Sequence, residues 1–569
     1  MNPNQLLTHF DRISQTPDAI PRLRRFILNL AVRGKLVEQD PRDEPATELL
    51  KLVQGEKAQR IKTGHIKKQE LLPEVREEEI WLNIPSSWSW VRLETIAQIL
   101  MGQSPPGDTY NKESDGIPLI NGPVEFTEGP FGKTVVNQYT TAPTNVCEEG
   151  DLLLCVRGST TGRTNIAGFR ACIGRGVAAI RLFFPDKYVR LFIWLRRESI
   201  IEMGRGVAFP SVTRRQIAEL PVPLPPLAEQ HRIVAKVDEL MVLCDRLEAA
   251  QTERESQRDR LVASSLNRLN NGTDANTFQD HARFYFNHLP RLTTRTDHIK
   301  QLRQTILTLA VQGKLVEQDP KDEPASELLK YIQTEQAKLI KAQVLKRNDG
   351  DSRLSEEDLP CNLPQTWQWV ALRNIIVFGP QNGISPKPSS RTDAPKAITL
   401  TATTSGTFDP HHFKQVEATI SLDSEFWLRP GDLLFQRGNT REYVGIAAYY
   451  EGDPKIFLYP DLIMKVRLSQ KINLRYVHFC AIAPSARDYF STHASGAQAT
   501  MPKINQRTLL QLPIPLPPLA EQHRIVAKID ELMTLCNQLE TQLTTTQTQT
   551  HNLLNSLLTK TLSKQIGKI

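Results

Sequence analysis

Two short segments have residue types found in catalytic loops, and each departs from the pattern that it imitates. Ser104–Gly107 reads Ser-Pro-Pro-Gly. It is close to the proline loop used in base methylation, but glycine stands where an aromatic ring must stack on the flipped base. Gly129–Thr134 imitates a phosphate-binding loop, but threonine occupies position 127, where that loop needs glycine. We interpret both segments as turns without catalytic function.

Cysteines and histidines form no reactive cluster in the sequence either. The 7 cysteines include no Cys-x-x-Cys pair, and the 12 histidines include no His-x-x-x-His pattern. Scattered cysteines of this kind are typical of buried thiols in a reducing cytoplasm and argue against structural zinc. The sequence therefore predicts no catalytic residue, no metal site and no cofactor site in this chain.

A third pattern has the chemistry of nucleic-acid contact. Arg157-Gly-Ser-Thr and Arg437-Gly-Asn-Thr each follow a Gly-Asp-Leu-Leu run. A strand that ends in a loop with guanidinium, hydroxyl and amide groups suits contacts to phosphates and base edges. A structural turn whose arginine covers the sheet explains the pattern equally well. The candidate residues of these two loops are Arg157, Ser159, Thr160, Arg163, Arg437, Asn439, Thr440 and Arg441.

Two further basic stretches, 204–215 and 495–507, form a second group of candidates for nucleic-acid contact. Each of them precedes a proline-rich segment that the chain contains twice. The candidate residues in these stretches are Arg205, Arg214, Arg215, Gln498, Lys503 and Arg507.

The charge distribution points to the same parts of the chain. Residues 81–220 carry 15 Lys/Arg and 13 Asp/Glu, and residues 361–512 carry 16 and 11, so these two windows account for the whole net charge of +7. We therefore expect a polyanionic partner to bind these windows rather than the segments between them.

The elements that position these candidates come from an internal duplication. PLPPLAEQHRIVAK occurs at 223–236 and again, letter for letter, at 515–528. A front block at 23–51 returns with few changes at 302–330, an offset of 279 residues (302 minus 23), whereas the offset of the rear block is 292 (515 minus 223). The second half therefore contains 13 extra residues between its blocks. Periods this long belong to whole domains, since repeat units run to about 20–50 residues.

The front blocks are expected to be helical. The apolar spacing predicts a helix from Leu23 to about Val32 that Gly34 ends, and Gly313 has the same place in the second copy. The Asp-Glu-Pro-Ala-Ser/Thr-Glu-Leu-Leu segment predicts a capped start of another helix, over 44–52 and 323–332.

The rear blocks predict two long helices that follow an extended, proline-rich entry. Apolar residues recur at alternating steps of four and three, which is the spacing that lets one helix lie along another. Three turns of any amphipathic helix would give the same pattern. Two such helices of about 40 residues would each extend about 60 Å as a spacer. The predicted pairing positions are Ile233, Val237, Leu240, Cys244, Leu247, Ile525, Ile529, Leu532, Cys536 and Leu539.

The two windows predict compact, mostly β domains. Each opens on a double tryptophan, Trp88-Ser-Trp90 and Trp367-Gln-Trp369, and continues with short apolar runs broken by Gly, Pro and Asn. We expect Trp88 and Trp367 in the core rather than stacked on bases. No run approaches 18 apolar residues, so no membrane span is predicted, and the start of the sequence is unlike a signal peptide.

With these repeats in view, the chain resembles the specificity (S) subunit of type I restriction–modification enzymes over essentially its full length. The duplicated Pro-Leu-Pro-Pro-Leu-x-Glu-Gln boundary and the Leu-Ala-Val-x-Gly-Lys-Leu-Val segment carry the resemblance. It implies an α+β fold in which two pseudo-twofold-related, mostly β target-recognition domains are joined by two long antiparallel coiled-coil helices. The expected segments are a helical block (1–80), domain 1 (81–222), a central helical region (223–350), domain 2 (351–512) and the second spacer helix (513–569).

The resemblance also implies a function and partners. The chain would be a non-catalytic, cytoplasmic subunit of a bacterium or archaeon that reads a bipartite, asymmetric site in double-stranded DNA. Two methyltransferase (M) subunits and two restriction/translocase (R) subunits would bind it, and S-adenosylmethionine, ATP and Mg would be bound by those partners. Three alternatives stay open at this point: the recognition subunit of another modification or phage-exclusion system, a coiled-coil scaffold that binds proteins, and an enzyme that uses the Ser-Pro-Pro-Gly loop.

Overall fold

The computed structural model describes residues 18–64, 66, 72–127, 129, 132–184, 187–204, 211–272, 275–345, 354–495 and 501–563. The chain divides into two compact units. Unit 1 comprises residues up to Arg254 together with those from Thr548, and unit 2 comprises Glu255–Gln547. The long helix of each rear block thus contributes its two halves to different units.

The described residues of unit 1 form three sheets and several helices. A four-stranded sheet has the order β2-β10-β7-β8, a five-stranded sheet has the order β3-β5-β4-β9-β6, and β1 pairs with β11. Its helices are α1 (Ala19–Val32), α2 (Ala46–Lys62), α3 (Leu93–Ile96), α4 (Tyr188–Leu195), α5 (Arg197–Met203), α6 (Arg214–Ala218) and the first part of α7 (Leu227–Asn271). Its strands are β1 (Ser89–Arg92), β2 (Ala97–Met101), β3 (Tyr110–Asn111), β4 (Ile117–Ile120), β5 (Gln138–Thr140), β6 (Val146–Cys147), β7 (Leu152–Cys155), β8 (Thr164–Ile166), β9 (Ala171–Ile173), β10 (Val177–Leu182) and β11 (Pro221–Leu224).

Unit 2 repeats the four-stranded sheet in the order β13-β19-β16-β17 and the pair β12-β20, but its third sheet, β15-β14-β18, has three strands among the described residues. Its helices are α8 (Ala275–Leu292), α9 (Thr296–Val311), α10 (Ala325–Lys341), α11 (Thr401–Thr404), α12 (Leu474–Ile482), α13 (Pro484–His493), α14 (Gln506–Leu510) and the first part of α15 (Leu519–Ser563). Its strands are β12 (Gln368–Ala371), β13 (Ile376–Asn382), β14 (Lys396–Ile398), β15 (Phe413–Gln415), β16 (Asp432–Gln436), β17 (Ala447–Tyr449), β18 (Phe457–Leu458), β19 (Ile463–Leu468) and β20 (Pro513–Leu516).

The front blocks fold as predicted at their first helix and differ at the second. Gly34 and Gly313 follow the ends of α1 and α9 with φ of 62° and 69°, a conformation that glycine adopts without strain. The predicted cap of the second helix is wrong, because α2 and α10 begin after a proline without a side-chain cap. Both helices also run beyond the prediction, α2 by ten residues (62 minus 52) and α10 by nine (341 minus 332). The added turns of α2 are mostly polar and include the ion pair Glu56–Arg60.

The two rear-block helices, α7 and α15, are each 45 residues long, or about 68 Å at 1.5 Å per residue. Their predicted pairing positions lie in the cores of the units: Ile233, Val237 and Cys244 in unit 1, and Ile525, Ile529 and Cys536 in unit 2, are at most 1% exposed. Leu240, Leu247, Leu532 and Leu539 are half-buried against the same cores. That these positions pair the long helices directly with each other stays a prediction.

The front-block helix of each unit lies against the first half of its long helix. Arg24 of α1 donates to Asp245 at 2.6 Å and to Glu248 at 2.7 Å. In unit 2 the matching Arg303 of α9 donates to Asn537 and Glu540, both at 2.7 Å. A hydrophobic cavity of about 150 Å³ beside that contact is lined by residues of α8, α9 and α15, among them Leu302, Leu532 and Cys536.

The repeated motifs meet at one place in each unit, which we call the joint: Gln39, Trp88 and Glu229 in unit 1, and Gln318, Trp367 and Glu521 in unit 2. The Trp88 indole N–H donates to Glu229 at 2.8 Å, and the Gln39 amide donates to the other oxygen of that carboxylate at 2.5 Å. The second joint has the same bonds at 2.9 and 2.6 Å. The glutamates are 1% exposed and the tryptophans 5–6%, so both tryptophans are core residues, as predicted.

The joint explains why three segments that are far apart in the sequence are retained in both halves. The glutamate belongs to the Pro-Pro-Leu-Ala-Glu-Gln segment, the tryptophan opens the β window, and the glutamine comes from the front block. An ion pair reinforces each joint, Arg232–Asp43 and Arg524–Asp322, both at 2.6 Å. Because three segments must meet around one buried carboxylate, a change in any of them leaves a buried polar group without its partner.

The 13 extra residues of the second half can be placed by comparing strand registers. Strand β2 has five residues and β13 has seven, although both pair with matching stretches of β10 and β19, so two residues are taken up by bulges in β13. Two more lengthen the loop between β16 and β17, and the other nine lie between β17 and α14. The extra length thus lies mostly after the Gly-Asp-Leu-Leu strands.

Candidate nucleic-acid interface

One edge of the four-stranded sheet carries four of the predicted contact residues: Arg157 in unit 1, and Arg437, Asn439 and Lys503 in unit 2. Strands β2 and β7 both run antiparallel to β10, so the ends of β2 and β7 and the start of β10 lie at the same edge. We call this the loop edge. It consists of residues 102–104, 156–158, 174–176 and 211–212 in unit 1, and of residues 383–385, 437–439, 460–462 and 503–504 in unit 2.

Backbone hydrogen bonds hold the four segments of the unit 1 loop edge side by side. The Gly102 amide donates to Val177 O at 2.8 Å, and the Val156 amide donates to Gly176 O at 2.8 Å. The Val212 amide donates to Val156 O at 2.9 Å, and a β-bridge joins Arg157 to Ser211. The two groups of candidates predicted from the sequence, around 157 and before 215, are therefore neighbours.

The unit 2 loop edge has the same bonds at the matching positions. The Gly383 amide donates to Ile463 O at 3.2 Å, and the Arg437 amide donates to Leu462 O at 2.7 Å. The Ile504 amide donates to Arg437 O at 2.8 Å, and a β-bridge joins Gly438 to Lys503. The backbone of the loop edge is thus common to both units.

The matching bonds show that Arg157 and Arg437 are not equivalent residues. Val156 of unit 1 and Arg437 of unit 2 occupy matching positions, because the backbone amide of each donates to the turn before β10 or β19, respectively. Arg157 therefore matches Gly438, one residue further along. Since successive side chains of an extended segment point to opposite faces, the two arginines leave the backbone on opposite sides. The Arg-Gly-x-Thr match in the sequence is displaced by one residue in the structure.

The loop edge carries cations that have no acidic partner. Arg157, Arg175 and Lys503 are exposed, and Arg437 is half-buried. Among the residues that the structure describes, none of these four side chains forms an ion pair or a side-chain hydrogen bond. Within the described residues, the loop edge therefore carries positive charge that is not paired with an acidic side chain. Free guanidinium and ammonium groups on a fixed backbone suit contacts to phosphates and bases.

Other predicted contact residues of unit 1 already have bonding partners within the protein. Arg214 pairs with the buried Glu94, and Arg215 pairs with Glu219 at 2.7 Å. The Arg163 guanidinium donates to Phe126 O at 3.4 Å, at the base of the loop. Ser159 is exposed and Thr160 is half-buried in a short 3₁₀ turn, Gly158–Thr160. These contacts favour a structural role for Arg214 and Arg163.

Asn439 stabilises its own loop in unit 2. Its amide nitrogen donates to Gln436 Oε1 at 2.6 Å, and its Oδ1 accepts from the Thr440 amide at 2.8 Å. Gln436 is fully buried and donates in turn to Leu400 O and Thr403 Oγ1. Thr440, Arg441 and Arg507 are exposed, whereas Arg205 and Gln498 lie outside the residues that the structure describes.

The structure adds two residues that the sequence reasoning missed. Arg175 and Asp461 occupy matching turns in the middle of the two loop edges. A signal for these turns was present, because Gly-x-Ser-Pro occurs at 102–105 and again at 383–386. The Ser-Pro-Pro-Gly segment that imitates a catalytic loop is part of this repeat.

One cation with a shifted pKa lies inside the sheet of unit 2 rather than at its loop edge. Burial lowers the pKa of Lys465 to about 8, and its ammonium group is 3.5 Å from the buried Asp432. In unit 1 the matching pair is Asp151–Arg181, and Ala179 takes the place of Lys465. Because Lys465 is fully buried, its ammonium group is not available to a ligand.

No cation or membrane site competes with this interpretation in the described part of the chain. Within the ranges given above, no group of His, Cys, Asp and Glu side chains could hold a metal ion. Six of the seven cysteines are buried and none forms a disulfide. None of the described helices is long and apolar enough to cross a membrane.

Comparison with known proteins identifies the family. The family model "Type I restriction modification DNA specificity domain" matches residues 85–255 and 364–546. The chain is 30% identical to the type I restriction enzyme EcoEI specificity subunit of Escherichia coli, over 92% of this chain and 90% of that protein. It is 32% identical to the EcoAI specificity subunit of Escherichia coli, with the same coverage. A solved structure, the HsdS subunit of Thermoanaerobacter tengcongensis, is 29% identical over 36% of this chain and 49% of that chain, with a TM-score of 0.27.

The family model matches both repeated, mostly β units and places the chain in the class of DNA-specificity subunits. The chain belongs to the specificity subunits of type I restriction–modification systems. The family and the α+β fold predicted from the sequence are thereby confirmed, and the chain's function is that of a non-catalytic DNA-specificity subunit.

Proposed function

We propose that each unit of this chain reads one half of a bipartite, asymmetric DNA site through its loop edge. The observation that carries the proposal is that the two loop edges share one set of backbone hydrogen bonds and differ in nearly every side chain. A common backbone places both edges in the same way on a duplex, and different side chains select different bases. Two unlike readers on one chain remove the need for a palindromic site.

The partners in this proposal are two methyltransferase subunits and two restriction/translocase subunits in the cytoplasm of a bacterium or archaeon. They would supply adenine methylation, ATP-driven translocation and cleavage, with S-adenosylmethionine, ATP and Mg bound on their own chains. The joints are the same in both halves and the first half of each long helix is nearly identical in sequence, which suits docking of the same partner twice. Each proposed domain then extends from its double tryptophan to its proline-rich strand, close to the predicted 81–222 and 351–512.

The experiment is to produce the full chain with the methyltransferase subunit of its own system and to map methylated adenines in the host DNA. We expect one asymmetric motif with two specific halves and a spacer of fixed length. Methylation without such a motif, or none at all from a folded complex, would contradict the proposal. Duplex binding that does not weaken as salt rises would instead favour a protein-binding scaffold.

A further inference from the structure

The turn before β10 in unit 1, and before β19 in unit 2, lies in the middle of each loop edge. It reads Gly174-Arg175-Gly176 in unit 1 and Pro460-Asp461-Leu462 in unit 2. On one side it is bonded to the segment after β2 or β13, and on the other to Val156 or Arg437. A side chain at the tip of this turn is therefore flanked by the other segments of the loop edge.

The repeated Gly-x-Ser-Pro segment fixes the tip of the turn. Ser104 Oγ accepts from the Arg175 amide at 3.1 Å, and Ser385 Oγ accepts from the Asp461 amide at 3.3 Å. The glycine of the segment is required for this approach. A Cβ on Gly102 would lie 2.1 Å from Gly174 O, and a Cβ on Gly383 would lie 2.1 Å from Tyr459 O.

The side chains at the two fixed tips have opposite charges. Arg175 and Asp461 are both exposed. In the described part of the chain the Arg175 guanidinium has no ion pair, and the Asp461 carboxylate accepts one hydrogen bond, from the Ser385 hydroxyl. A carboxylate has more acceptor positions than this one bond uses. Both tips therefore keep hydrogen-bonding capacity toward a ligand.

Charge decides what each tip can contact. A guanidinium group binds phosphates, and it also donates two bonds to O6 and N7 of guanine. A carboxylate is repelled by phosphates, so on a DNA-facing edge its favourable partner is a base donor, the N4 amino group of cytosine. The same backbone position would thus read the guanine side of a base pair in one half-site and the cytosine side in the other.

We propose that Arg175 and Asp461 are specificity-determining residues, Arg175 for a guanine in one half-site and Asp461 for a cytosine in the other. This inference rests on the proposed function, since it requires that the loop edges face DNA. It assigns one base pair to each unit, at a residue that the Arg-Gly-x-Thr pattern does not include.

The test uses the full chain in complex with its methyltransferase subunit and a duplex library in which every position of the wild-type motif is varied. The wild-type complex first establishes the two half-sites, and its failure to do so would count against the proposed function alone. Arg175→Ala should then lose about 10- to 100-fold of the discrimination at one G·C pair of one half-site. Arg175→Lys should keep the affinity and still lose most of that discrimination, because it lacks the two-pronged donor.

Asp461→Asn gives the sharper result in unit 2. Asparagine keeps an acceptor for the Ser385 hydroxyl, so the turn is retained, but its amide pairs with adenine instead of cytosine. We expect the preference at one position of the other half-site to change from cytosine toward adenine. Matched controls are Arg170→Ala, an exposed arginine at the far end of β9, and Asp423→Asn, whose side chain is 97% exposed.

Three results would overturn the inference while leaving the proposed function intact. The first is a wild-type motif that stays unchanged in Arg175→Lys and Asp461→Asn. The second is relaxation of the same half-site by both variants. The third is an equal effect of the control variants. Thermal unfolding of each complex shows whether a lost preference comes from a lost fold.

Discussion

Each unit contains a joint and a loop edge, and the duplication has treated these two regions differently. In the joint the residues are identical in both units and so are their contacts, down to the two hydrogen bonds on each buried glutamate. In the loop edge the backbone bonds are the same in both units, but the side chains differ. At one matching position unit 1 has arginine and unit 2 has glycine, and at another unit 1 has arginine and unit 2 has aspartate. The two units have the same residues in the joint, where side chains bond to each other. They have different residues in most of the loop edge, where the segments are held by backbone hydrogen bonds.

The largest effect is expected when the joint loses its aromatic ring. Trp88→Ala and Trp367→Ala each remove a core side chain, which costs about 3–5 kcal/mol of unfolding free energy. Because the joints are the same, the two values should agree within about 1 kcal/mol, an error typical of such context effects. Urea unfolding, with hydrogen exchange to assign each transition to a unit, measures both. Leu52→Ala, at a side chain that is 70% exposed, is the control. A clear inequality of the tryptophan variants would show that the joints are not equivalent.

Removing the buried carboxylate tests the hydrogen bonds of the joint rather than its packing. Glu229→Ala and Glu521→Ala leave an indole N–H and a glutamine amide without an acceptor, at a cost of about 1–3 kcal/mol each. Burial raises the pKa of both glutamates, because the buried carboxylates have lost their hydration. Removing a carboxylate also removes this desolvation cost, which offsets part of the lost hydrogen-bond energy. Thermal unfolding should show similar losses in the two variants. If only one of the two variants is destabilised, the joint hydrogen bonds of the other unit contribute nothing to its stability.

A pH difference between the units follows from one buried histidine. Burial lowers the pKa of His478 to about 4, and its Nε2 donates to Gly406 O at 2.8 Å. In unit 1 the matching residue is Arg190, which donates to Gly150 O at 2.6 Å. The neutral imidazole is favoured in the folded state, so its contribution is complete above pH 6.5 and is lost as the pH falls from 6.5 toward 4.

Unit 2 should therefore lose up to about 2 kcal/mol between pH 7 and pH 5 through this residue, at about 1.4 kcal/mol per pKa unit. Hydrogen exchange of each unit at the two pH values measures the difference. His478→Gln should remove the pH dependence in unit 2 and change nothing in unit 1. Equal acid sensitivity of both units in the wild-type chain would contradict this prediction.

The smallest effects belong to the loop edges, and there the two units should differ. Arg157→Ala and Arg437→Ala should each weaken duplex binding about tenfold and lower the slope of the salt dependence by about one. Since the two arginines leave the backbone on opposite faces, the variants should affect different contacts in different half-sites. Binding by the methyltransferase complex to duplexes with one half-site altered separates the two effects. Unchanged binding by both variants would show that neither arginine contacts DNA.

Much of the fold was predictable because it follows from local patterns. The long helices, the strands in the Gly-Asp-Leu-Leu runs and the core tryptophans all follow from apolar spacing and from the duplication. The length of α2 was not predictable, since its second half has no apolar stripe and is stabilised by ion pairs. The joint was also hidden, because Gln39, Trp88 and Glu229 are far apart in the sequence and meet only in the folded unit.

The candidate site was predictable in its location and not in its details. The sequence pointed to the ends of the central strands. The ion pair between Arg214 and Glu94, however, is a tertiary contact that the sequence does not reveal. The turn at Arg175 was missed because its signal, a repeated Gly-x-Ser-Pro, lies about 70 residues away in the chain, at Ser104 (175 minus 104). Spacing along a chain does not reveal which turns are bonded across a sheet edge.

The one-residue displacement between Arg157 and Arg437 has a practical consequence for transferring specificity. Strand pleating gives each position a parity, and only an even displacement preserves the face on which a side chain emerges. A four-residue graft of Arg157–Thr160 onto positions 437–440, aligned by its letters, would place the guanidinium on the face that Val156 has in unit 1. The graft that reproduces the unit 1 surface has to begin at position 438.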